Sequence, residues 1–259
     1  MYRYQGTYNQ VTNNYVFFGT TSCSGGTHNN MYRVMGVTSD GYVKLIKSIP
    51  LSAQKFHTAN NSTTWKNSSL KNNLNGSSYY SKLDSSWQDN IATKTWYYVE
   101  DTYPINLNAL YDTYTGEQVY AYETGSEEAS ASVSAKVGLM NMSDYLIAMG
   151  NGMNCKEDYQ NYTGGSDSPC KDSWIELYNI SNTYNGNYLE WLMSTYGSSG
   201  SIYYAMGIRA YEAVITNDFA GVLETSQRTR VARPVIYLTQ DTLKTSGSGT
   251  ASDPYILQP

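Results

Sequence analysis

Charge is what this sequence has least of. Charged side chains make up 15% of its 259 residues, against a usual share of about a quarter. Lys+Arg 17 against Asp+Glu 22 leave a net charge of −5. Phosphate tracking needs clustered cations that release counterions, so this balance argues against a nucleic-acid partner. Histidine is almost missing: His28 and His57 stand alone, each in a polar stretch. That leaves little for a histidine-built metal centre or triad, and no G-x-S-x-G nucleophile elbow stands between strand and helix. No apolar run approaches the roughly 18 residues that cross a bilayer, so no membrane contact is expected of this stretch of chain. The opening MYRYQGTY has no signal-peptide pattern. An export or anchoring segment is expected to have been trimmed away ahead of Met1.

Cysteine is also sparse, at 3. Cys155 and Cys170 share one polar loop, and neither belongs to a C-x-x-C. A disulfide is the first reading, and closing that loop would contribute about 3 kcal/mol. Two free thiols stay open beside it, as does a metal role, although no histidine is close in sequence. Cys23 is then the odd one, free or parted from a partner upstream.

What the chain has in quantity is tyrosine, 27 of them, within an aromatic share of 14%. Its polarity comes from Tyr, Ser, Thr and Asn, as is common in extracellular proteins. The densest example runs from Leu189 to Leu238. Leu189–Ser194 and Ser201–Arg209 read as strands parted by a flexible Tyr196–Gly200 linker. Tyr211–Thr216 and Phe219–Glu224 flank Asn217-Asp218, a two-residue hairpin candidate, and Val231–Leu238 closes the run. Between strands lie Tyr196, Ser198, Ser199 and Ser201, then Asn217 and Asp218, then Thr225 to Thr229 with Gln227 and Arg228. Tyrosine gives rigid amphipathic contact area, and Ser and Gly give adaptable hydrogen bonding, so the vocabulary is that of binding loops. Tyr203 and Tyr204 are adjacent on a strand and must take opposite faces. The stretch reads as a binding surface carried on a sheet.

Elsewhere, Asn14–Gly19 reads as a strand, and Met31–Val37 with Tyr42–Lys47 as a hairpin about Ser39-Asp40-Gly41. Thr63–Leu74 predicts a helix capped by Asn67 or Ser68, with Leu70 and Leu74 on one face and Gly76 as the stop. Ser78–Leu83 and Ser86–Ile91 predict short helical turns, and Thr93–Glu100 a strand. Glu117–Tyr122 reads as a strand, followed by an exposed acidic tract, Glu123–Ser130. Val137–Met140 predicts a strand before a short helix capped by Ser143 or Asp144. Thr245–Ser252 is a Gly/Ser turn and Pro254–Leu257 a last edge strand.

The ordered series NYVFFG, YRVMGVTSDGYVKLIKS, WKNSSLKNNLNGSSYYSKL, KVGLMNMSDYLIA, EWLMSTYG, ARPVIYL and SGSGTASDPYIL resembles an uncharacterised domain of exported proteins from Gram-positive gut bacteria. That domain often follows a prepilin-like N-terminal helix. It in turn looks like the C-type lectin fold, in the branch that includes formylglycine-generating enzymes and the variable proteins of diversity-generating retroelements. The resemblance implies an α+β fold with a twisted antiparallel sheet, paired terminal strands and insertions. A single domain over residues 1–259 is expected, with the insertions, largely helical and loop, at about 60–132. The resemblance makes Tyr15–Phe18 and Val231–Leu238 the pairing strands, Trp191 a core anchor, and Arg233-Pro234 the opening of the closing strand. EWLMSTYG departs from the tryptophan pair or leucine-serine-proline that relatives carry near this point. The stretch after Trp191 becomes a ligand surface open to diversification.

Catalytic alternatives are thinner. Glu157, Asp158, Asp167 and Asp172 surround the cysteine loop but lack calcium-site spacing and read as solvated acids. Cys155 with Cys170 as an oxidase pair lacks any thiolate-stabilising neighbour. Asp84 with Glu100, or Glu212 with Glu224 across a hairpin, are the carboxylate pairs a glycosidase would need, and read more simply as salt-bridged or solvated. The expectation is therefore a non-enzymatic, adhesin-like module of a cell-surface or pilus-associated protein, extracellular and without metal or cofactor. Its ligand residues would be Tyr196, Ser198, Ser199, Ser201, Tyr203, Tyr204, Tyr211, Asn217, Asp218, Thr225, Gln227 and Arg228. Its partner would be a protein or glycan on another cell or host surface, with other pilus subunits as a second class. A self-packing pilin-like subunit is the alternative, and a glycosidase or thiol oxidase comes after it.

Overall fold

The structure is a computed structural model. It describes residues 2–3, 13–19, 30–58, 64–100, 116–125, 130–149, 175, 189–199, 202–209, 223–224 and 229–258. Within these the chain is α+β, mostly strands in several largely antiparallel sheets with a few short helices.

The largest sheet has eight strands. Its path runs β14 (Leu243–Ser246), β15 (Tyr255–Gln258), β2 (Tyr15–Phe17), β3 (Met31–Val37), β4 (Val43–Lys47), β13 (Val235–Leu238) and β8 (Val137–Gly138), with β1 (Tyr2–Arg3) also on β3. The predicted β3–β4 hairpin is present, its register fixed by Tyr32↔Lys47 at one end and Val37↔Val43 at the other. A first-with-last pairing forms, but not with the strand expected. Tyr15–Phe17 pairs in parallel with Tyr255–Gln258, while Val235–Leu238 lies between β4 and β8. The Gly/Ser turn decides this. Gly249 sits at φ +82, and its carbonyl accepts the Tyr15 N–H at 2.8 Å. A Cβ there would fall 2.6 Å from the Tyr255 ring and 2.8 Å from the Asn13 carbonyl, so only glycine lets the terminal segments close together. The outer position expected of Pro254–Leu257 belongs instead to β14.

A second sheet has the order β11 (Leu223–Glu224), β10 (Ile202–Arg209), β9 (Leu189–Ser199), β12 (Thr229–Ala232) and β5 (Leu51–Lys55). The expected single strand Val231–Leu238 is thus two strands in two sheets. Prolines explain the break, because proline donates nothing to a ladder. Pro234 interrupts β12–β13 where Pro50 precedes β5, opposite it. Both segments pass from one sheet to the other at the same place. Lys47 N donates to the Pro234 carbonyl across the junction at 2.9 Å. β6 (Lys94–Val99) and β7 (Ser130–Ala135) form a separate ribbon.

The helices pin these sheets together. Ser68 caps α1 (Ser69–Leu74), its Oγ accepting the Lys71 N–H, and Leu70 and Leu74 are buried. Helix α2 (Ser85–Asp89) buries Trp87, which packs edge-on against Phe18 at 4.8 Å. Trp65, Trp87, Trp191, Tyr32, Tyr98 and Phe56 fill one continuous core.

The segment read as a strand at Glu117–Tyr122 is a helix, α3 (Gly116–Thr124), with Val119 and Glu123 buried four apart. Its Val-Tyr-Ala-Tyr run carries strand propensity. Packing against the next helix, α4 (Met142–Met149), overrides it. Glu123, expected on an exposed acidic tract, is fully buried. Its carboxylate accepts the N–H groups of Met142 and Ser143 at 3.0 and 3.2 Å and the Ser143 hydroxyl. Instead of Ser143 or Asp144 alone capping α4, a carboxylate from the preceding helix satisfies its first N–H groups.

Burial outweighs those hydrogen bonds and pushes the Glu123 carboxyl from the ordinary 4.5 up to about 7. The folded state then holds a proton that the unfolded chain releases between these values. Stability from this group is full below about pH 4.5 and is lost as pH rises through about 7. Urea unfolding from pH 5 to pH 8 should show wild-type stability falling by about 3 kcal/mol relative to E123Q. Parallel profiles would show that Glu123 does not titrate in this window.

Candidate functional site

The long strand β9 is built in two halves. From Glu190 to Thr195 every residue is buried. Glu190 forms a two-pronged ion pair with Arg233: Nε donates to Oε1 and Nη2 to Oε2, each at 2.8 Å. The same Nη2 donates to the Ile175 carbonyl at 2.7 Å. Trp191 is the core anchor expected of it. Its indole N–H donates to the Gln54 carbonyl at 2.8 Å, and its ring meets Phe56 edge-on at 5.5 Å. The Met193 N–H donates to the Met140 carbonyl at 3.2 Å. Ser194 Oγ accepts the Val99 N–H and Thr195 Oγ1 donates to the Val99 carbonyl, at 3.3 and 3.0 Å. Elements from across the chain hold this foot: β5, β6, the segment before α4, and the β12–β13 bend.

The distal half corrects the sequence reading. Tyr196–Gly200 was expected to be a flexible linker, yet the strand continues to Ser199. The reason is β10, which returns antiparallel and satisfies the backbone that a loop would leave open. The register places Ile202 opposite Ser199, Tyr203 opposite Ser198, and Tyr204 opposite Gly197. It shifts between Tyr204 and Ala205, which pairs with Thr195. Tyr196 is the extra residue of that bulge. Bulges redirect the strand and concentrate next to functional sites.

Five predicted site positions therefore share one ribbon: Tyr196, Ser198, Ser199, Tyr203 and Tyr204. Glu224, on β11, joins it opposite Tyr204. Ser201, Tyr211, Asn217, Asp218, Thr225, Gln227 and Arg228 lie outside the described residues. So do Cys23, Cys155, Cys170, Glu157, Asp158, Asp167, Asp172, Glu212 and His28. Thr229 and Arg230 open β12, which pairs with β5 and beside the foot of β9. Of the other pair considered, Asp84 is exposed at the start of α2 and Glu100 follows β6. His57 is half-buried, with Nδ1 3.4 Å from Ser69 Oγ, and burial lowers its pKa. Among the described residues no three His, Cys, Asp or Glu side chains gather as metal ligands, and no helix is long and apolar enough to cross a membrane.

Sequence reasoning missed Glu190 and Arg233 as a pair. The signal was present: a lone acid inside an apolar run, and an arginine wedged between Ala232 and Pro234. Buried charges of this kind are almost always paired. Compared with protein-family models, curated proteins and solved structures, the chain matches none.

Removing one partner strands the other charge in the core. R233M should cost about 3–5 kcal/mol in urea unfolding, whereas R233M/E190L, which removes both charges, should recover most of that loss. Equal losses in the two variants would mean that the charge pair does not anchor the foot of β9.

Proposed function

We propose that this chain is an extracellular, adhesin-like binding module of a surface or pilus-associated protein, built on a C-type-lectin-like variant fold. The β9–β10 ribbon is its ligand face. One observation carries the reading: a strand clamped through Glu190–Thr195 runs on, without a break, into a paired ribbon set with Tyr and Ser positions. A rigid foot lowers the ordering cost of a Tyr-rich contact surface, since the backbone is fixed before the ligand arrives. The bulge at Tyr196 turns the ribbon where the buried half ends. The adjacent terminal segments and the separate ligand-bearing sheet support the lectin-like comparison, although the parallel β2–β15 pairing departs from it. The partner is a protein or glycan on another cell or host surface, met by aromatic stacking and hydroxyl hydrogen bonds and not by charge.

Fluorescently labelled chain applied to epithelial monolayers, and to a printed glycan array, tests this. Y196A/Y203A and Y196A/Y204A treat the two strand faces separately, and one of them should lower binding about tenfold or more while unfolding within about 1 kcal/mol of wild type. Full binding by both variants would remove the ribbon as the ligand face. Self-association that rises with concentration, with neither surface bound, would replace the reading with a self-packing subunit.

A further inference from the structure

Lys44 on β4 and Asp144 on α4 meet in the core 100 positions apart in sequence. Nζ lies 2.7 Å from one carboxylate oxygen and 2.6 Å from the other, with both side chains at least nine-tenths buried. The Tyr237 ring lies 5.6 Å from Nζ, and Trp96 packs on that ring at 5.1 Å. The Asn141 N–H donates to Asp144 Oδ2 at 3.0 Å, polarising the carboxyl.

We propose that Lys44 and Asp144 condense to an intramolecular amide, a covalent cross-link between β4 and α4. An amine and a carboxyl fixed in contact have lost the translational freedom that makes such condensation slow in solution. Within this contact one proton of Lys44 Nζ can pass to the Asp144 carboxyl, which leaves the amine as a nucleophile. A turn of the Asp144 carboxyl about its Cβ–Cγ bond presents the carbonyl face to the amine. The nitrogen lone pair adds to Cγ, with the Asn141 N–H facing the oxygen that gains charge. With one ammonium proton already on the carboxyl, the nitrogen gives up a second proton after addition, and the departing hydroxyl takes it and leaves as water. The C–N bond forms, one C–O bond breaks and a single water leaves. Ammonium plus carboxylate become amide plus water, with no change in net charge and no outside reagent.

Intact mass spectrometry of the full chain under denaturing conditions reads the bond whether or not a variant folds. The wild-type chain should be one water lighter than its sequence, and proteolysis should yield a branched peptide joining the segments that carry Lys44 and Asp144. D144A should have the full mass of its own sequence. A wild-type mass equal to the sequence, or a lost water without the branched peptide, overturns the cross-link.

Discussion

The architecture turns on the pairing of Arg233 with Glu190. Arg233 stands at the bend where the chain leaves one sheet for the other. Its guanidinium reaches both the foot of β9 and the carbonyl of Ile175. Three parts of the molecule that are remote in sequence are thereby fixed by one side chain. The cost of burying two charges is met by fork geometry, with each charged oxygen given its own N–H. Pro234, the next residue, ends the ladder there. One dipeptide both breaks the sheet and locks the break.

That lock gives the candidate ligand face its physical character. A β-hairpin alone in water is marginal. The β9–β10 ribbon is not alone, because its first half is part of the core. Trp191, Ser194 and Thr195 tie it to β5 and β6 through backbone carbonyls and amides, groups that do not change when side chains elsewhere are exchanged. A scaffold held this way tolerates substitution in what the distal ribbon carries.

The large sheet shows a second use of buried charge. Lys44 on β4 meets Asp144 on α4 beside the Tyr237 ring, and Glu123 on α3 holds the first N–H groups of α4. In a chain with so few ionisable groups, placing several of them in the interior concentrates its electrostatics at the junctions between elements.

The sequence alone determined the local elements. The Met31–Lys47 hairpin, a cap at Asn67 or Ser68 with Leu70 and Leu74 on one face, and the strand over Lys94–Val99 were legible, because turn chemistry, capping and four-residue spacing act over a few neighbours. The tyrosine and serine positions of the ribbon were legible as a composition. Their placement on paired strands was not, since the partner β10 decides whether Tyr196–Ser199 is loop or strand. The tertiary structure also decided that Val231–Leu238 divides between two sheets and that Glu117–Tyr122 coils into a helix. It put Glu123 in the core, and it brought Glu190 to Arg233 and Lys44 to Asp144. Each of these depends on a contact between residues far apart in sequence, and the free energy of such a contact belongs to the pair and cannot be read from either segment alone.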